Sequence, residues 1–283
     1  MVLIDGKKVS AEVRACLAKE AKELKEKTGR VPGLATVLVG DDPASAVYVR
    51  NKNKICRELG FKSFEQKLSL DTSEAKLLQL IKELNSNNDI HGILVQLPLP
   101  NQIDSEKILQ AIDPNKDVDG FHPVNVGKLV VGNALLTPCT PTGIIKLLDY
   151  YEIDISGKHA VILGRSNIVG KPVSMLLLQR NATITICHSR TKNLEEITRS
   201  ADILVAAIGR ANFVTENMVS EGTIVIDVGI NRVDGKLTGD INFEPVSKKA
   251  SYITPVPGGV GPMTIALLME NTLKAFKESI DIN

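Results

Sequence analysis

Residues 159–190 read HAVILGRSNIVGKPVSMLLLQRNATITICHSR. The segment opens on a short apolar run, His159 to Leu163, passes a glycine-bounded turn, Gly164 to Pro172, and continues as an apolar helical pattern to Arg180. A second apolar run, Thr183 to Cys187, follows. Short apolar runs on either side of a helix are the pattern of a βαβ unit, whose parallel strands are covered on both faces. Glycines in the turn let a backbone approach a phosphate, and the start of the helix offers N–H donors and the positive end of a dipole. The spacing is not G-x-G-x-x-G, so a tight strand-to-helix turn without a ligand is the bland alternative. Position within a βαβ unit favours a dinucleotide. An NAD site places a carboxylate about 20 residues after such a turn, whereas an arginine accommodates a 2′-phosphate. Here the second strand ends in Cys187-His188-Ser189-Arg190-Thr191, with no carboxylate. Ser189 and Arg190 supply a hydroxyl and a fork of donors, which favours NADP over NAD. A solvated loop arginine is the competing reading.

Working outward, the same alternation fills the chain. Ala201 to Ile208, Thr223 to Val228 and Tyr252 to Pro255 read as further strands of the second half. Thr264 to Lys277 closes it as an amphipathic helix. In the first half, Ser10 to about Lys27 is helical, Leu34 to Val39 a buried strand, Ser63 to Leu70 a strand, Thr72 to Asn85 a helix, Ile90 to Leu97 a buried strand and Ile103 to Ile112 a helix. Strands alternating with helices of this length predict an α/β protein with mainly parallel sheets. The proline-punctuated stretch LTPCTPTGIIKLLDYY, Leu136 to Tyr151, marks the boundary between two domains. The expected division is 1–140 and 141–261, with a C-terminal helix over 262–283 packing back on the first domain.

In parallel sheets, ligands bind beyond the carboxyl ends of the strands. Gly40-Asp41-Asp42, Gln96-Leu97-Pro98-Leu99-Pro100 and Asp117-Val118-Asp119-Gly120 reach that edge in the first domain. The first of them leads into DPASAVYVRNKNKICREL, Asp42 to Leu59. Asp42 followed by Pro43 reads as a helix cap and first helical position. Tyr48, Lys52, Ile55 and Leu59 fall on one face, so Lys52 stands where an apolar residue is due. A snorkelling lysine explains this without function. The functional alternative is a lysine whose loss of hydration favours the neutral amine, usable in proton transfer near neutrality.

At 283 residues, 43% apolar and 24% charged, the chain can bury two ordinary cores. Its net charge of +1 provides no global field for nucleic acid or an anionic membrane. The cysteines, Cys16, Cys56, Cys139 and Cys187, form no C-x-x-C pair, which argues against a zinc site or redox dithiol and fits a reducing compartment. The N-terminus lacks a secretory pattern, and no apolar run approaches the ~20 residues that span a bilayer. A cytoplasmic protein is expected. His91, Asp117 and Asp227 read as structural residues; His122 borders the ligand edge of the first domain without a catalytic role, and His188 adjoins the phosphate pocket, where its backbone matters more than its ring.

YVRNK with Tyr48 and Lys52, VQLPLP with Gln96, KDVDG with Asp119, GRSNIVGKP, and PVPGGVGPMT from Pro255 to Thr264 resemble, in order, the signature segments of the bifunctional methylenetetrahydrofolate dehydrogenase/methenyltetrahydrofolate cyclohydrolase (FolD) family. The resemblance implies a catalytic domain and a Rossmann-like NADP-binding domain with a cleft between them. It implies NADP-dependent oxidation of 5,10-methylenetetrahydrofolate to the methenyl form and hydrolysis to 10-formyltetrahydrofolate, a step of one-carbon metabolism that supports purine biosynthesis. Lys52 would be the essential catalytic lysine, Tyr48 would pack on the folate rings, Gln96 would hydrogen-bond near Lys52, and Asp119 would accept the pterin N–H groups. Pro257, Gly258 and Gly259 would line the wall between folate and nicotinamide. Gly164, Arg165, Ser166, Ser189, Arg190 and Ile230 would hold NADP. The resemblance further implies a homodimer and a reaction that needs no metal. A dehydrogenase of another substrate and a non-catalytic dinucleotide-binding protein are the rival readings; the latter gives no reason for a lysine at position 52.

Overall fold

The structure, a computed structural model, describes residues 1–280. Its first half contains β1 (Val2–Leu3), α1 (Gly6–Thr28), β2 (Gly33–Val39), α2 (Pro43–Glu58), β3 (Lys62–Leu68), α3 (Glu74–Ser86), β4 (Gly92–Val95), α4 (Ser105–Ala111), α5 (Pro123–Val131) and α6 (Cys139–Tyr150). The second half continues with β5 (His159–Leu163), α7 (Gly170–Gln179), β6 (Thr183–Cys187), α8 (Leu194–Arg199), β7 (Ile203–Ala206) and β8 (Ile224–Asp227). It ends with β9 (Asn231–Val233), β10 (Lys236–Thr238), α9 (Phe243–Ser247), β11 (Tyr252–Ile253) and α10 (Val260–Ser279). None of the described helices is long and apolar enough to cross a membrane.

The chain divides into two compact units. One comprises Glu12–Cys139 together with the residues from Ile265 onward. Its sheet has the order β3-β2-β4 and is parallel throughout. Every residue of β2 is buried, as its unbroken apolar sequence requires of a central strand. Helix α3 starts at the cap Ser73, whose side chain accepts from Lys76 N–H at 3.3 Å, and buries Leu77, Ile81 and Leu84. These side chains pack with Ala35, Val37, Ile93, Val95 and Ile108 into one core. Each such fully buried aliphatic side chain stabilises the fold by about 1.5–3 kcal/mol.

The other unit comprises Met1–Ala11 and Thr140–Thr264. Its six-stranded sheet has the order β1-β11-β8-β7-β5-β6, and every pairing in it is parallel. Strand β5 is followed on one side by β6 and on the other by β7, so the carboxyl ends of these strands form a topological switch point.

The grouping at the N-terminus differs from the expected division at residue 140. Val2 and Leu3 pair with Tyr252 and Ile253, which carries the first eleven residues into the second unit as an edge strand. A two-residue strand is too short to show a period, so its partner is invisible in the sequence. The C-terminal helix begins at Val260 rather than Thr264, and its residues from Ile265 group with the first unit. There Lys277 Nζ reaches Glu20 Oε1 at 2.9 Å. The final three positions of the expected 262–283 segment lie outside the described residues.

Candidate active site

In the first unit, α2 begins as its sequence predicts. Asp42 caps it, its carboxylate accepting from Ser45 N–H at 2.7 Å, and Pro43 occupies the first turn. Three turns on, Lys52 is buried, with 9% of its surface exposed, while Tyr48 on the same face is 39% exposed. Snorkelling does not describe this lysine, because its Nζ donates to Gln96 Oε1 at 3.0 Å instead of ending in water. Gln96 follows β4 directly. Its backbone N–H donates to Val37 O at 2.9 Å, and its side-chain Nε2 donates to Leu97 O at 2.7 Å. The amide is therefore oriented, with its oxygen turned to the lysine.

Asp119 lies two residues beyond Asp117, which bridges to Ile93 beside β4. Burial pushes its carboxyl up to about 6, while the nearby Lys52 charge pulls it down and Asp117 pushes it further up. The three groups thus form one electrostatic cluster at the carboxyl end of the sheet. Asp117 is a framework residue: its carboxylate accepts from Phe121 N–H, His122 N–H and Asn125 Nδ2 at 3.2, 2.8 and 2.9 Å. Gly120 follows with a φ of 73°, and a Cβ there would lie 2.5 Å from Pro138 N, so only glycine closes this turn. From α10, Asn271 Nδ2 donates to Val118 O at 2.9 Å and Thr137 O at 2.8 Å, clamping the segment that carries Asp119.

In the second unit, a cavity of about 350 Å³ opens at the switch point. Gly164, Arg165 and Ser166 line it after β5, Cys187, His188 and Ser189 after β6, and Ala207, Ile208, Arg210 and Phe213 after β7. Gly164 has a φ of 115°, and a Cβ there would meet Ala207 O at 2.3 Å, which keeps the loops after β5 and β7 in close approach. Four of the six expected cofactor residues, Gly164, Arg165, Ser166 and Ser189, share this wall. Arg190 and Ile230 are exposed and lie outside it. Backbone donors at the start of α7 differ from the sequence expectation. Ser166 Oγ accepts from Val169 N–H and Gly170 N–H at 3.1 and 3.2 Å, and Ser166 O accepts from Lys171 N–H at 3.1 Å. What the helix start offers an anion is thus its dipole together with Arg165, rather than those three N–H groups.

The loop Pro257-Gly258-Gly259 is tied to the N-terminal segment of the same unit. Lys7 N–H donates to Gly258 O at 3.1 Å, and a Cβ on Gly6 would lie 1.7 Å from Gly259 O.

With this geometry in place, the comparisons are decisive. Residues 4–119 match the family described as tetrahydrofolate dehydrogenase/cyclohydrolase, catalytic domain, and residues 138–280 match its NAD(P)-binding domain. The chain belongs to this family. The bifunctional protein FolD of Streptococcus mutans is 56% identical over 279 residues, covering 98% of either chain. A crystal structure of the Campylobacter jejuni bifunctional methylenetetrahydrofolate dehydrogenase/cyclohydrolase superposes with a TM-score of 0.96 at 53% identity, covering 98% of this chain and 99% of that one. The Trypanosoma brucei enzyme, solved with NADP cofactor and inhibitor, superposes with a TM-score of 0.95 at 40% identity, covering 99% of this chain and 98% of that one.

Other titratable groups are spent on structure. His91 Nδ1 accepts from Gly33 N–H at 2.9 Å, its ring stands edge-on to Phe276, and burial holds it down to about 4. It borders a larger cavity of about 550 Å³ at the amino end of β4, away from Lys52; there the Lys116 ammonium is occupied by the carbonyls of Leu84, Asn85 and Asn87. His122 caps α5 through Nδ1, which accepts from Val124 N–H at 3.1 Å. Asp227 Oδ1 accepts from Gly229 N–H at 2.9 Å. Sequence reasoning missed Arg210, Phe213 and Asp240. The hairpin β9–β10 before Asp240 was signalled by Asp234-Gly235, both with positive φ, a turn pair typical of two-residue hairpins.

Proposed function

We propose that the cluster of Lys52, Gln96 and Asp119 is the folate site of an enzyme that oxidises 5,10-methylenetetrahydrofolate with NADP+ and hydrolyses the methenyl product to 10-formyltetrahydrofolate. Family membership over both domains supports the two activities, and the Lys52–Gln96 hydrogen bond of 3.0 Å is the observation that carries the site assignment. In this reading residues 1–140 with the helix from 262 form the folate-binding catalytic domain, apart from the N-terminal strand that joins the sheet of the NADP domain, and 141–261 form the NADP domain.

Asp119 accepts the pterin's amino and ring N–H groups and fixes its orientation, which hydride transfer demands because the reacting carbons must meet closely. Tyr48, exposed one turn before Lys52, packs on the folate rings. NADP+, when bound, supplies the hydride acceptor for the methylene bridge. The cavity fits that cofactor: two arginines, two serines and a glycine turn converge on it. Gly164, Arg165, Ser166 and Ser189 hold the cofactor, with Arg190 and Ile230 flanking, and Pro257, Gly258 and Gly259 border the nicotinamide side.

For the second half-reaction, water adds to the methenyl carbon. In its neutral form the Lys52 nitrogen, oriented by Gln96 and sheltered from bulk water, takes up a proton from that water and returns it to the ring nitrogen that departs as the ring opens, while the hydroxyl left on the carbon loses its own proton to solvent and becomes the formyl carbonyl. One lysine thus serves proton movement in both directions. We further propose a cytoplasmic homodimer.

Mixing the protein with methylenetetrahydrofolate and NADP+ while recording the NADPH and methenyl absorbances tests the function. NADPH should appear, and the methenyl band should stay small because hydrolysis drains it. Absence of NADPH refutes the dehydrogenase reading; a methenyl band that accumulates and decays at the spontaneous rate refutes the cyclohydrolase.

A further inference from the structure

Resting on the cofactor reading above, we propose that Arg210 is a cofactor-binding residue that, together with Arg165, selects the 2′-phosphate of NADP and carries more of that selection than Arg190. Arg210 stands on the wall of the switch-point cavity together with Arg165, Ser166 and Ser189; Arg190 does not. Its guanidinium carbon lies 4.5 Å from the centre of the Phe213 ring. A guanidinium lying over an aromatic face is held by the ring without spending its N–H donors, and a planar fork of that kind matches the oxygens of a phosphate. Among the described residues no carboxylate pairs with this side chain, so its charge is available to a ligand.

The backbone beneath Arg210 is built to hold it. Asp240 is fully buried, and its carboxylate accepts from Ile208 N–H at 2.7 Å, Gly209 N–H at 3.0 Å and Arg210 N–H at 2.8 Å. Asn231 Nδ2 adds a fourth bond to it at 3.0 Å, joining the loop to the hairpin. The turn then closes on itself: Phe213 N–H donates to Arg210 O at 3.4 Å, and Asn212 N–H donates to Gly239 O at 3.1 Å. A buried acid gathering three consecutive N–H groups makes the loop after β7 a rigid mount. A long side chain on a rigid mount, already lying over a ring, loses less freedom on meeting a phosphate than one whose side chain has no such support.

Arg190 sits on a turn closed within itself, Thr191 N–H donating to His188 O at 2.9 Å and His188 N–H to Thr191 Oγ1 at 2.8 Å, and among the described residues no buried carboxylate gathers its backbone donors. It is exposed, and the contact its residue makes is the bond from its backbone N–H to His188 Nδ1 at 3.1 Å. A 2′-phosphate brings close to two negative charges into the cavity, and two arginines on the same wall, Arg165 after β5 and Arg210 after β7, supply two positive charges from two strands.

Dissociation constants of the full-length protein for NADP+ and for NAD+, measured by titration calorimetry, test the assignment with Arg210→Gln, Arg210→Lys and Arg190→Gln. Thermal melts of each variant establish that it is folded. Arg210→Gln should weaken NADP+ about tenfold or more while NAD+ changes less than about twofold, with Arg210→Lys intermediate and Arg190→Gln losing less than Arg210→Gln. Equal losses for the two cofactors would mean that Arg210 acts on the shared adenosine, which overturns the proposal. So would an Arg210→Gln protein that binds NADP+ as the parent does, or one outdone by Arg190→Gln. A parent protein that binds neither cofactor removes the cofactor reading itself, a result separate from any failure of Arg210.

Discussion

The two candidate sites invest burial in different places. On the folate side, the group that would react is itself withdrawn from water: Lys52 is buried against Gln96, and half-buried Asp119 feels both Lys52 and Asp117. On the cofactor side, the arginines stay exposed, and it is the carboxylate beneath them, Asp240, that is fully buried. The difference follows from what each must do. A proton-transfer group needs a fixed place against the reacting atoms and shelter from bulk water, which burial and an oriented partner provide. A phosphate clamp needs charge at the right place, which a fixed backbone provides without altering the charge. Substitution of a reacting group on the folate side should therefore change chemistry more than fold.

The hardest test of that contrast is Lys52→Gln. General acid–base groups contribute about 10²- to 10⁴-fold, so the cyclohydrolase rate should fall by that order while the melting temperature and NADP+ affinity stay near those of the parent. Stopped-flow decay of the methenyl band measures the first, calorimetry the others. An unchanged decay rate would return Lys52 to a packing role.

How much of this was legible beforehand varies in the same way. Lys52 announced itself because it breaks an apolar stripe, and Asp42-Pro43 marked where its helix starts. Burial that violates a pattern leaves a trace in the sequence. An arginine in a loop violates nothing: position after the second strand singled out Arg190, and nothing in the sequence marks Arg210, although Arg210 on the loop after β7 lines the cavity and Arg190 does not. Asp240 was equally silent: it follows a short hairpin and precedes an isoleucine, and its four N–H partners come from residues about ten to thirty positions upstream. Helix α5 escaped for a local reason, since its cap is a histidine rather than one of the usual short polar side chains. Strands β2, β5 and β8, by contrast, were plain in their apolar runs, and the parallel architecture followed from their alternation with helices.

A smaller effect probes whether the two frames are independent. Asn271→Ala removes both bonds to the carbonyls of Val118 and Thr137 and leaves those acceptors inside the first unit without this donor. The cost should be about 2 kcal/mol of stability, read from the denaturant midpoint. Because Val118 precedes Asp119, KM for methylenetetrahydrofolate should rise while KM for NADP+ holds. Parallel rises in both constants would show that the frames are coupled.

The mildest perturbation is pH, and it addresses Asp119 alone. Burial holds this carboxyl at about 6, whereas an unfolded aspartate titrates near 4. At pH 7 it is mostly ionised and can accept two N–H groups; at pH 5 most of it carries a proton and offers fewer acceptors. With NADP+ saturating, kcat/KM for methylenetetrahydrofolate should therefore fall as pH drops through about 6, by up to about tenfold per unit. Stability runs the other way. A carboxyl whose folded value is raised contributes stability that is full below about 4 and is lost as pH rises through about 6, because the folded state then holds a buried charge. The same group should thus make the protein bind worst where it favours folding most. Asp119→Asn separates the two effects: its affinity is lower throughout, and its profile between pH 5 and 7 is flatter than the parent's. If the parent profile is already flat over that range, the ionisation of Asp119 does not govern substrate binding, and the pterin contact belongs to another acceptor.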